Sequence, residues 1–270
     1  MAFKALVTSG CSFSDNVGLR WPHYLAARLG IPLYNRGHGS AGNDYIADST
    51  IYQISQLLNE GINPKDILVV VMWSGIDRTN LFISQRDTQL FSDLLADNPR
   101  DVVHPINFTN SLPNTPLSAD TDSGYLPGSI NCVFNNQLVT RMKQRYISQY
   151  MNTEWLLIKS LNSWLQLQWM CDAYGITLHN LTYMDLWHYP HYKIRYPADN
   201  LPLFYETYSK NTEHLYNLID VSRWHFGDNY TGMYEWCRAR NTEFYPDDFH
   251  PFETAHKLYV ENFICPSLNY

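Results

Sequence analysis

The chain has 270 residues, 45% of them hydrophobic and 17% charged, which is enough apolar side chain for a substantial core and too little charge for a disordered chain. A formal net charge of −7 argues against a general nucleic-acid binder or an anionic-membrane binder, since both need a basic face. Cysteines at 11, 132, 171, 237 and 265 are scattered with no CxxC spacing, so neither a zinc site nor a disulfide framework is expected, and buried free thiols are.

A first β-strand is expected at Phe3 to Val7. It runs into the turn Thr8-Ser9-Gly10-Cys11-Ser12-Phe13-Ser14-Asp15, which presents Ser12 at the rim of a sheet. Trp21 to Gly30 reads as a helix, with Pro22 in its first turn and Gly30 as its C-terminal cap. Ile31 to Asn35 is a short second strand, Arg36 to Gly42 a tight loop, and Asn43 to about Leu58 a second helix. Ile67 to Trp73 is a continuous apolar run, the pattern of a central parallel strand buried on both faces, followed by the loop Ser74 to Arg78. It is also far too short to span a bilayer.

From about Gln85 to Gln137 periodicity fails, and the stretch is read as an irregular insertion able to wall or cover a site as a lid. Ile147 to Tyr174 is a long helix whose stripe Trp155, Ile158, Leu161, Leu165 and Trp169 is expected in the core. A fourth strand is expected at Ile176 to Tyr183, a helix at Leu203 to Ile219, and a fifth strand or loop at Asp220 to Phe226. Met233 to Arg240 and Phe252 to Phe263 are the last helices. Alternating strands and helices with no linker predict one α/β domain over 1–270. The expected architecture is a three-layer sandwich around a mostly parallel, flavodoxin-like five-stranded sheet.

The loops at Ser12, at Gly37 to Gly42 and at Ser74 to Arg78 follow neighbouring strands, so they converge on one crevice at the sheet's C-terminal edge. The segment Asp247-Asp248-Phe249-His250, just before the last helix, can return to the same edge. A seryl hydroxyl becomes a nucleophile only when an imidazole takes its proton, and the imidazole needs an acid on its far nitrogen. Ser12, His250 and Asp247 fit those three roles, with Asp248 as the alternative acid. The bland readings are a turn serine, and a helix-entry turn capped by Asp247 or Asp248. His256 is expected to be a packing or surface histidine. His188 and His191 lack a third ligand in a recognisable frame, so no metal site and no cofactor is expected.

Taken together these segments resemble the SGNH (GDSL-like) hydrolase superfamily, in a divergent branch of bacterial and bacteriophage type. Gly10-Cys11-Ser12-Phe13-Ser14 resembles its first block and Asn35 to Asn43 its second. Val69 to Arg78 stands in the place of the third block, and Asp247-x-x-His250-Pro251 resembles the last. The resemblance implies an esterase with a Ser12–His250–Asp247 triad and an oxyanion hole from the Ser12 amide and a second-loop amide at Ser40, Gly39 or Gly42. Cys11 stands where family members usually have Asp. The third-block Asn, which completes the oxyanion hole, aligns near Gly75, leaving Ser74, Asn43 or a backbone amide to replace a donor that is worth about 3–4 kcal/mol. Arg78 either binds a substrate carboxylate or forms a salt bridge.

The expected substrate is a small-molecule or glycan ester, with no nucleic-acid or membrane partner. The glycan expectation comes from family analogy and from 20 Tyr, 12 Phe and 8 Trp, whose rings can stack on sugars. An acyltransferase with the same triad and a catalytically inactive binding or assembly module are the alternatives. Residues 1–12 make no signal peptide, so a cytoplasmic protein is expected, or a virion-associated one if the gene is a bacteriophage's.

Overall fold

The computed structural model describes residues 3–16, 18–39, 41–76, 78, 81–83, 124–126, 153–186, 210–228, 231–246 and 249–270. In chain order these form β1 (Ala5–Gly10), α1 (Trp21–Leu29), β2 (Leu33–Asn35), α2 (Asn43–Asn59), β3 (Ile67–Trp73), β4 (Leu81–Ile83) and β5 (Gly124–Leu126). They continue with α3 (Thr153–Tyr174), β6 (Thr177–Thr182), α4 (Lys210–Tyr216), α5 (Met233–Ala239) and α6 (Glu253–Tyr259). A π turn, Val260–Ile264, and a last helical turn, Cys265–Leu268, carry α6 onward.

Four strands pair in the order β2-β1-β3-β6, all parallel, with Leu6 against Leu33 on one side and Leu68 on the other, and Val69 against Leu178. Every residue of β1 and of β3 is buried, as a sheet covered on both faces requires. The cover comes in two layers. α2 packs on β1, β3 and α3, while α1 packs on β2, α6 and the π turn, and α5 joins α6. The result is a mixed α/β fold with a mostly parallel sheet flanked by helices. Parallel strands joined by helices place the loops after β1, β2, β3 and β6 at one edge.

The fifth strand is reduced to a single residue pair. Val221–Arg223 is a 3-10 turn capped by the Asp220 carboxylate, and only Trp224 bridges, in parallel, to Asn180 of β6. The Asp220 side chain takes both the N–H and the hydroxyl of Ser222, and that local turn competes with strand pairing. The long helix buries more than one stripe. Leu157, Leu161, Trp164, Leu165 and Cys171 are in the core, but Trp155 and Trp169, expected there, are 37% and 53% exposed. α3 packs against both α2 and α4, so its buried arc is broad and leaves those two rings at its margin. Within the region read as insertion, Gly124–Leu126 pairs antiparallel with β4; the remainder of 85–137 lies outside the described residues. So do His188 and His191.

Asn35 at the end of β2 ties two loops together. Its Oδ1 accepts from Thr8 Oγ1 at 2.9 Å and from Gly37 N at 3.0 Å. Its Nδ2 donates to Ser14 O at 2.7 Å and to Asn16 Oδ1 at 2.8 Å. Removing a buried group that serves several partners strands each of them, so Asn35→Ala is expected to lower unfolding free energy by about 2–3 kcal/mol in urea titrations.

Candidate functional site

β1 ends at Gly10, and the Ser14 N–H donates to Cys11 O at 2.8 Å, closing a tight turn with Ser12 inside it. That turn is clamped. A Cβ on Gly10 would stand 2.3 Å from Ser14 Oγ, and one on Gly37 would stand 2.1 Å from Ser14 O, so both positions admit only glycine without backbone movement. Ser14 Oγ also accepts the Trp21 indole N–H at 2.8 Å, which fixes the turn to the start of α1. The following residue, Asp15, bridges Gly37 in parallel and extends the β1–β2 pairing past the strand ends.

His250 arrives from the other end of the chain on a hairpin-like segment. Phe244 bridges Pro251 in antiparallel fashion, the Tyr245 N–H donates to His250 O at 3.1 Å, and the Phe252 N–H donates to Glu243 O at 3.0 Å. His250 Nε2 lies 2.6 Å from Ser12 Oγ, across 238 positions of sequence. The His250 ring packs on Phe13, with centroids 5.2 Å apart, and on Phe249, 4.3 Å away. Phe13 in turn meets Tyr183 edge-on at 5.4 Å. Phe13 is fully buried, whereas Ser12 and His250 are partly exposed, so the pair faces outward from an apolar floor. With Nε2 unprotonated, the Ser12 hydroxyl donates to it, and the imidazole is placed to accept that proton outright.

The other expected site residues divide. Arg78 lies with its guanidinium 5.1 Å above the Tyr183 ring, and so joins the aromatic floor through Tyr183 and Phe13. Gly75 offers its carbonyl to the Arg78 N–H at 3.0 Å. Gly42 is the N-cap of α2, with its carbonyl accepting from Ile46 N. Asn43 is buried, its Oδ1 accepts from Ser74 N at 2.9 Å and its Nδ2 donates to Ser160 Oγ at 3.0 Å. Those bonds join α2, β3 and α3; they commit the Ser74 N–H to Asn43 and one of the two Asn43 Nδ2 hydrogens to Ser160. Ser74 Oγ is buried with no hydrogen-bond partner among the described residues. Ser40, Asp247 and Asp248 lie outside the described residues. Among the described residues no group of three or more His, Cys, Asp or Glu is arranged to hold a metal ion, and no helix is long and apolar enough to cross a membrane. Cys11, Cys171, Cys237 and Cys265 are free and buried.

Around the pair stand groups the motifs did not mark. Arg20, buried, approaches Asp15 Oδ1 with its Nε at 3.5 Å and lies 6.0 Å from the Tyr245 ring centroid. His38 donates from Nδ1 to Gly39 O at 2.8 Å when that nitrogen carries the proton, and burial holds its proton affinity down. His256 is fully buried rather than superficial. Phe13 and Phe249 are sequence neighbours of the paired residues, and that adjacency was the available signal; Arg20 and His256 had none beyond residue type.

A family model described as "Family of unknown function (DUF6071)" matches residues 13–108, which take in α1, β2, α2 and β3 but neither Ser12 nor His250. A comparison with curated proteins found no match.

Five of the described histidines bind a proton less readily than a free imidazole. Burial first, then the neighbouring His225 and Arg223, pushes His179 down to about 4, and burial also lowers His23, His38, His225 and His256. Each ring binds a proton less readily in the folded chain than its ordinary value of 6.5, so the unfolded chain takes up more protons as pH falls. Stability is therefore expected to be fully present above pH 6.5 and to fall as pH drops toward about 4, which thermal melts across that range will show. Gly37→Ala is expected to displace the Ser12 turn and to weaken the Ser12–His250 contact, read as a changed His250 titration by NMR.

Proposed function

We propose that the protein is a serine ester hydrolase in which Ser12 attacks the acyl carbon and His250 is the general base. The observation that carries the reading is the 2.6 Å approach of His250 Nε2 to Ser12 Oγ. In the first step Ser12 Oγ bonds to the carbonyl carbon while its proton passes to His250 Nε2, and His250 then returns that proton to the departing alcohol. Water, deprotonated by the same ring, releases the acid. Asp247, or Asp248 in its place, is the proposed acid on the far ring nitrogen. The Ser12 amide and an amide of the loop at Gly39 to Gly42, with Ser40 in it, are the proposed oxyanion donors.

The resemblance to SGNH hydrolases supports the same assignment, as does the sheet order, which places Ser12 where the chain's winding reverses between β1 and β3. We take the substrate to be an O-acyl group on a carbohydrate or another small ester, with Tyr183, Arg78 and the floor around Phe13 as its setting. The proposed location is the cytoplasm, or the virion for a bacteriophage gene.

One observation favours a second reading, a binding or assembly module without turnover. The Ser74 N–H is bound to Asn43 Oδ1, so that backbone amide is not a free replacement for the third-block donor. Fluorophosphonate labelling separates the two. The hydrolase reading expects one adduct on Ser12, and turnover of a p-nitrophenyl ester that falls at least ~10³-fold in Ser12→Ala and in His250→Gln. Full activity in Ser12→Ala would sink the mechanism, and an unlabelled, inert wild type would favour the binding module.

A further inference from the structure

Beneath the paired residues lies a polar group that the mechanism above leaves unused. His256, on α6, has no exposed surface, and its ring centroid is 6.5 Å from that of Phe13, the residue after Ser12. Its Nδ1 accepts the Trp21 N–H at 3.3 Å, at the first residue of α1. A neutral imidazole has one donor and one acceptor nitrogen, so acceptance at Nδ1 places the proton on Nε2. Nε2 is buried with no hydrogen-bond partner of good geometry among the described residues. The backbone of Pro251, the residue after His250, is near enough to the ring to favour its proton. A buried donor short of a full partner is unfavourable, and its retention calls for a reason.

We propose that His256 is a positioning residue, a neutral strut from the start of α1 to the Pro251 backbone that sets where His250 stands against Ser12. The inference rests on the reading of Ser12 and His250 as the reacting pair. The strut works only while uncharged. Protonation would turn Nδ1 from acceptor to donor against the Trp21 N–H, and would set a second cation beside the His250 imidazolium that forms when Ser12 is deprotonated. The groups facing the ring disfavour its proton: burial acts most, then the Arg20 cation and the His250 and His23 rings when these are protonated, with the Pro251 backbone opposing them. Glu253, on the same helix, turns instead to the Leu19 N–H at 3.0 Å and to His23.

Two substitutions separate positioning from packing. His256→Leu keeps bulk and removes both polar functions; His256→Asn restores an acceptor near the Nδ1 position. With a p-nitrophenyl ester, His256→Leu is expected to lower kcat by ~10²-fold, the scale of a misplaced catalytic group, while KM changes little. His256→Asn is expected to recover part of that loss. NMR titration of the His250 ring in a Ser12→Ala background reads the same geometry without turnover, and its midpoint should move in His256→Leu. A folded His256→Leu with wild-type kcat and an unmoved His250 midpoint overturns the strut. If His256→Leu does not fold, His256→Asn decides: wild-type kcat together with an unmoved midpoint overturns the strut, and a reduced kcat with a moved midpoint supports it. An inert wild type that takes no fluorophosphonate on Ser12 defeats the hydrolase reading separately, and the NMR arm still rules on His256.

Discussion

The contact between Ser12 Oγ and His250 Nε2 is the constraint around which the described structure is arranged. Two side chains on mobile loops would lose much entropy in meeting, so each must be held before they meet. Ser12 is held by backbone proximity. The turn lies so close to Gly10 and Gly37 that no side chain fits between, and Asn35 grips Ser14 O from the next strand. His250 is held by paired backbone on both sides of the hairpin and by aromatic rings against its face. Phe13, the residue after Ser12, packs against the His250 ring and so links the two supports.

Polar groups below that floor serve connection rather than solvent contact. Asn43 joins three elements with one amide, and Glu235 does the same elsewhere. Its carboxylate accepts the Gly232 N–H at 2.9 Å, within the start of α5, and the Asp185 N–H at 3.1 Å, past the end of β6. Burial raises the proton affinity of that carboxyl, opposed by the N–H groups it accepts from. Both N–H groups converge on Glu235 Oε2, while Oε1 is buried with no hydrogen-bond partner among the described residues, so the loop is tied through one oxygen of the carboxylate.

Much of this was legible in the residues and some was not, for physical reasons. β3 announced itself as an unbroken apolar run because it is covered on both faces, and α1 was framed by Pro22 and Gly30, the latter at φ 66. The pairing of Ser12 with His250 was readable from local chemistry plus the convergence of strand ends. The exposed Trp155 and Trp169 were not, because helical spacing marks an apolar face without saying how wide an arc its neighbours cover. The bonds of Asn43 to Ser74 and Ser160 were not readable either, since an amide near a site looks the same in sequence whether it meets a ligand or its own chain. His256 was read as a packing or surface histidine, and its burial settles it as packing, a choice that nothing in its sequence neighbours could make.

The distance in sequence between the two partners has a consequence for how the chain comes into being. β1 and its turn leave the ribosome first, yet their imidazole partner emerges more than two hundred residues later. Until His250 docks with Phe249 and Pro251, the Ser12 hydroxyl lacks the imidazole that contacts it, whatever the sheet has already assembled. Fraying of the C-terminal helices would likewise disarm it well before the strands separate. Under the proposed mechanism, Ser12 would thus gain its base only as the fold is completed.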